Sequence, residues 1–195
     1  MKPITSAELL DLTGYERARP ALLAEVIELK RSARRVSVGP SLSFVFENRE
    51  TVRHQIHEML RTERIVDPER IEEEVRVYNE LLPGEHELSA TLFIEIPELA
   101  HIRPVLDKLI GIDEHVRLDI GNATVRATFD PGQFEEDRIS AVHYIRFPLG
   151  RELAARFCDP AVPVTLAVAH PNYVHATSLK GAPRASLARD LERGA

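Results

Sequence analysis

Apolar residues recur along this chain in two rhythms. Leu88, Ala90, Leu92, Ile94 and Ile96 alternate with Ser89, Thr91, Phe93 and Glu95, the period of a half-buried strand. Between Asp67-Pro68 and Pro83-Gly84, by contrast, Ile71, Val75, Tyr78 and Leu82 recur at helical spacing and form one stripe. The same two tests predict the other elements. Thr5 or Ser6 caps a short helix through Leu12, which Gly14 breaks, and a second helix runs from Arg19-Pro20 to Ala33. Val36–Val38 and Leu42–Glu47 read as strands around Gly39-Pro40. A helix spans Asn48 to Ile65, with Val52, Ile56, Met59 and Leu60 as its buried stripe. Pro97–Ile110 reads as a helix disturbed at Pro104. Val116–Ile120, the stretch around Val125, Ala127 and Phe129, Ala141–Phe147 and Pro163–His170 read as strands, with a hairpin at Gly121-Asn122. Gly150–Phe157 and Pro183–Leu191 read as helices. The helices come early and the middle strands are hairpin-like. That order predicts one α+β domain over residues 1–180, with a largely antiparallel sheet of about seven strands covered by helices, and a C-terminal helix or tail over 181–195.

Composition narrows this picture without naming a function. The single cysteine, Cys158, excludes an internal disulfide framework and a cysteine-ligated cluster. At a helix end it is also a poor nucleophile. The net charge of −6 argues against a nucleic-acid binder. No apolar run is long enough for a signal peptide or a membrane span, so a cytoplasmic protein is expected. Of 25 cations, 21 are arginine. Arg31, Arg34 and Arg35 fall where a helix C-terminus favours positive charge. Residues Glu63 to Glu87 hold nine acids against three arginines, either a solvated face or a docking surface for a basic partner.

No phosphate loop, dinucleotide fingerprint, nucleophile elbow or zinc-protease motif is present. On the Asn48–Ile65 helix, His54, His57, Glu58 and Arg61 share the face opposite the apolar stripe. They read as a solvated, ion-paired face or as a metal-reaching group. Glu63 falls within the apolar stripe, with Arg49 near it, and a carboxylate aimed at a core must be paired, ligated or protonated. His143 shares a strand face with Ala141, Ile145 and Phe147, and His170 shares one with Val164, Leu166 and Val168. Both histidines are therefore expected on the core side. Two imidazoles and one carboxylate make a ligand set of the non-haem iron type, so Glu63, His143 and His170 are candidate ligands for one divalent ion, iron, zinc or manganese. Tyr78-Asn79 and the strand end His170-Pro171-Asn172-Tyr173 are further polar candidates.

The stretches Phe44-Val45-Phe46-Glu47-Asn48-Arg49-Glu50-Thr51 and Glu58-Met59-Leu60-Arg61-Thr62-Glu63-Arg64-Ile65 resemble the bacterial "domain of unknown function 3501" family. So do Tyr78-Asn79-Glu80-Leu81-Leu82-Pro83, Leu109-Ile110-Gly111-Ile112, Val142 to Phe147 and His170 to Tyr173. The resemblance covers nearly the whole chain. Genes of that family often lie near rubrerythrin-like and heterodisulfide-reductase-like iron–sulfur proteins, which implies a redox or oxidative-stress setting. Glu47, Glu58, Arg61, Glu63, His143, Arg146, His170 and Tyr173 fall on matched stretches. Three functions follow as expectations. The first is an accessory factor that binds a metal or an iron-containing redox partner. The second is an enzyme that clamps a small anionic substrate with Arg49, Arg61 and Arg146, using Glu58 or Glu63 with His143 as acid and base. The third is an interaction module built on the acidic helix.

Overall fold

Asp11 sets where the first long helix begins. In the computed structural model, which describes residues 1–98, 102–130, 134–135 and 138–193, its carboxylate accepts the Gly14 amide at 2.6 Å. Gly14 thus occupies a capped first turn, and α1 runs unbroken over Leu12–Leu29 with Pro20 inside it. The break expected at Gly14 is absent because the cap satisfies the amide there. A π-helical segment, Lys30–Arg34, ends the helix. Asn48 and Thr51 then form a reciprocal capping box that starts α2, Arg49–Thr62. Asp67 accepts the Glu69 and Arg70 amides and starts α3, Pro68–Asn79.

The strands are divided between two antiparallel sheets. β1 (Arg35–Val38), β2 (Leu42–Phe46), β3 (Glu87–Ile94), β9 (Val142–Pro148) and β6 (Thr128–Phe129) form the first, ordered β1-β2-β3-β9-β6. β11 (Tyr173–Ser178), β10 (Val164–His170), β4 (Val116–Ile120) and β5 (Ala123–Arg126) form the second, in that order. Two short strands, β7 (Phe134–Glu135) and β8 (Arg138–Ile139), pair separately. The architecture is α+β, as the order of elements predicts. It has two sheets because β5 runs into β6 through Ala127, so one stretch of chain serves both. Ala127 donates its amide back to the Val116 carbonyl at 2.9 Å. β11 has no sequence-level forerunner: its residues are exposed or half-buried, and no apolar alternation marks it.

The main core lies between the sheets. Phe44, Phe46, Leu92 and Phe147 meet Val116, Leu118, Leu166 and Val168 there. Phe157 of α5 (Gly150–Cys158) and Leu187 and Leu191 of α6 (Gly181–Arg193) join the same cluster. The C-terminal helix is therefore part of the core. The expected Pro97–Ile110 helix is shorter, α4 spanning Ile102–Asp107, and residues 99–101 lie outside the described set. A second apolar cluster joins α2 and α3 through Val52, Ile56, Leu60 and Val75.

Candidate functional site

Strand alternation gives the first sheet an unusual outer face. The residues that point away from Phe44, Leu92 and Phe147 include Ser89, Thr91, Tyr144 and Arg146. Register sets Ser89 opposite Arg146 and Thr91 opposite Tyr144. Thr128 of β6 also pairs with Arg146. Glu47 follows β2 directly, and its amide donates to the Ser89 carbonyl at 2.9 Å. The end of α3 and the turn after it overhang this polar patch and leave a cavity of about 410 Å3. Glu47, Tyr144, Arg146, Phe129, Asp130 and Glu80 are among its lining residues.

Glu47 is the most constrained group in the cavity. It is 4% exposed. Thr91 Oγ1 donates to Oε1 at 2.6 Å, Gln55 Nε2 donates to Oε2 at 3.0 Å, and Thr51 Oγ1 also donates to Oε2. All three donors are neutral, and no basic side chain among the described residues pairs with it. A carboxylate offers about four acceptor positions, so Oε1, with its single bond, keeps one open. Burial and the negative charge of Glu47 push the Tyr144 phenol up. Arg146, in contrast, is already engaged. It donates to the Glu87 carboxylate and to the Glu80 and Leu82 carbonyls, tying β9 to the end of α3.

A second polar network joins α1 to α2. Arg19 grips Glu58 with two bonds, of 2.7 and 2.9 Å, and Tyr15 Oη donates to it at 2.7 Å. The Arg19 and Tyr15 bonds hold the Glu58 carboxyl at about 2 against the opposing pull of burial. Tyr15, buried beside that carboxylate, is pushed up. His57 stacks on Tyr15 with ring centroids 4.5 Å apart, and its Nε2 accepts the Leu10 amide at 3.0 Å. The α2 face expected to be solvated is thus covered by α1, and His57 is buried at 5% exposure.

The proposed metal ligands do not meet. Glu63 is exposed, because α2 ends at Thr62 and Glu63 is its C-cap residue; the apolar stripe extrapolates past the helix end. His143 and His170 are buried, as their strand faces predict. His143 lies edge-on to Phe129 in the first sheet. His170 sits in the second, with both nitrogens engaged: Nε2 with the Ile110 carbonyl at 3.0 Å, Nδ1 accepting the Asn172 amide at 3.2 Å. Among the described residues, no three His, Cys, Asp or Glu side chains group to hold a metal ion.

The three arginines of the anion clamp are also apart. Arg49 holds the N-terminal segment through the Pro3 carbonyl at 2.7 Å and through Glu8. Arg61 lies 3.5 Å from Glu58 and 3.8 Å from Glu16, and it lines a different cavity from Arg146. Each anchors chain segments, so the clamp as expected from sequence is not assembled. Tyr78 is half-buried, and burial and its neighbour Tyr144 push its phenol up. Asn79 pairs with both backbone groups of Ile4 at 2.8 Å. Tyr173 Oη donates to the Val38 carbonyl at 2.6 Å. The Cys158 thiol is raised by burial, in keeping with its poor placement as a nucleophile.

The family model described as "Protein of unknown function (DUF3501)" matches residues 3–191. The chain belongs to the DUF3501 family. A solved structure described as a novel protein of unknown function from Burkholderia pseudomallei K96243 is similar, with 36% identity and a TM-score of 0.90. The match covers 97% of this chain and 100% of that one. No curated protein matches the chain. Among the described residues, no helix of this DUF3501 protein is long and apolar enough to cross a membrane.

The buried and half-buried imidazoles give this family member a defined acid response. Burial pushes His54, His57 and His143 below their ordinary value of 6.5. The unfolded chain therefore binds more protons, and stability that is complete above pH 6.5 falls away below it. Glu58, held at about 2 from an ordinary 4.5, adds stability above pH 4.5 that is lost toward pH 2. The melting temperature should decline from pH 6.5 downward and more steeply below 4.5. A flat melting temperature between pH 7.5 and 5.5 counts against neutral buried histidines.

Proposed function

We propose that this protein binds a small polar molecule in the cavity over the first sheet, with Glu47 as its anchor and Tyr144 as a hydroxyl partner. The observation that carries this reading is the environment of Glu47. A buried carboxyl with neutral donors, an open acceptor position and no cationic partner is costly in a purely structural role. Structural carboxylates elsewhere in the chain, Glu58 and Asp190, are each paired with arginine. A cavity of about 410 Å3 is within the usual size of small-molecule sites. An accessory role beside an iron-containing redox protein is supported by the family resemblance, and a ligand site of this kind fits such a role as well as a catalytic one.

The test is a thermal-shift screen of small polar compounds against wild type and Glu47→Gln. Compounds that raise the wild-type melting temperature should bind Glu47→Gln about tenfold more weakly, because a hydrogen bond to a charged acceptor is worth more than one to an amide. Hits that bind both proteins equally, or a screen without hits, overturn the reading.

A further inference from the structure

The charge balance of the cavity indicates what kind of molecule fills it. Glu47 is buried and has no cation of its own, while Glu80 and Asp130 line the same space. Arg146 is the basic lining residue, and its charge is already matched by Glu87. Counting Glu47, Glu80 and Glu87 against Arg146 leaves these four groups at −2. A buried carboxylate is favourable once a counter-charge joins it. Among the described residues no basic side chain pairs with Glu47, and the open position on its Oε1 can accept a donor.

The walls select further. Phe129 and Tyr144 line the cavity beside the carboxylates, and aromatic faces attract cations. Thr128 and Ser89 supply hydroxyls, while Val77 and Leu81 supply apolar surface from the α3 side. A carboxylate floor between aromatic and apolar walls suits an ammonium group on a short hydrocarbon body.

We infer that the ligand of this cavity is a small organic cation, an amine whose ammonium group pairs with Glu47. This rests on the ligand-site reading above and specifies its chemical class. An anionic substrate, the class expected from the arginine excess, is disfavoured here by the same charges.

Three probes of nearly one shape separate the possibilities: phenethylamine, 2-phenylethanol and 3-phenylpropanoate, titrated calorimetrically into the full chain at low salt. Phenethylamine should bind at least tenfold more tightly than 2-phenylethanol, and 3-phenylpropanoate should not bind measurably. The amine preference should vanish in Glu47→Gln. In Glu80→Gln, a change at the exposed rim that leaves the fold untouched, it should fall about two- to threefold. If the alcohol binds as well as the amine, the site stands and its cationic class is overturned. If none of the three binds, both readings fall. If Glu47→Gln keeps the full amine preference, Glu47 is not the anchor and the inference fails.

Discussion

Replacing Asp190 by alanine should cost the protein about 3–5 kcal/mol, the usual cost of breaking a buried ion pair from one side. Arg34, at the end of the π-helical segment, is 3% exposed, and Asp190, on α6, is 8% exposed. The two guanidinium nitrogens Nη1 and Nη2 donate to the two carboxylate oxygens, the longer bond being 3.3 Å. Truncating Asp190 strands a guanidinium in a dry site. The double variant Arg34→Met/Asp190→Leu removes both charges and should recover most of the loss, because desolvation and attraction nearly cancel in such pairs. Urea unfolding of the two singles and the double measures this. A single variant within 1 kcal/mol of wild type contradicts the buried pair. The result also bears on the arginine-rich helix end. Arg31 pairs with Glu28 at the surface and Arg35 pairs with Glu95, whereas Arg34 turns inward to hold the C-terminal helix.

Gly39→Ala should be nearly as damaging, at about 2–3 kcal/mol. Gly39 has φ +69°, and a Cβ there would lie 2.5 Å from both Tyr173 Oη and the His175 ring. Tyr173 Oη accepts the Ser41 amide at 3.0 Å and donates to the Val38 carbonyl, so displacing it breaks both bonds around the β1–β2 turn. Tyr173→Phe alone loses the same bonds without the backbone strain. The two substitutions share partners, so their combined cost should fall short of the sum by at least 0.5 kcal/mol. Strict additivity in urea unfolding would count against a shared contact.

Local chemistry was the most legible part of this fold. The alternation from Leu88 to Ile94 is a strand with its apolar side inward, and the stripe of Ile71 and Val75 is a helix started by Asp67-Pro68. His143 and His170 point inward as their neighbours predict. Local rules fail where a distant partner covers a face or where an element ends. The α2 face of His57 and Glu58 looks solvated until α1 covers it. Glu63 lies on the stripe by angle but beyond the last turn. The candidate site is half legible along the chain: Glu47 and Arg146 stand on the family stretches as polar candidates, while Tyr144 does not declare itself. Its signal was its place on the strand face opposite His143. No reading along the chain could bring it to Glu47, since the register of β2, β3 and β9 does that.

The side-chain ties across β1 and β11 also have a social consequence. Exposed strand edges offer unpaired carbonyls to other chains and so invite aggregation. Here the Ser37 carbonyl accepts Thr177 Oγ1 at 2.7 Å, and the Val38 carbonyl accepts the Tyr173 hydroxyl. At the far side, β5 passes directly into β6. Hydroxyl groups and a shared strand therefore occupy borders where a neighbouring molecule would otherwise add a strand.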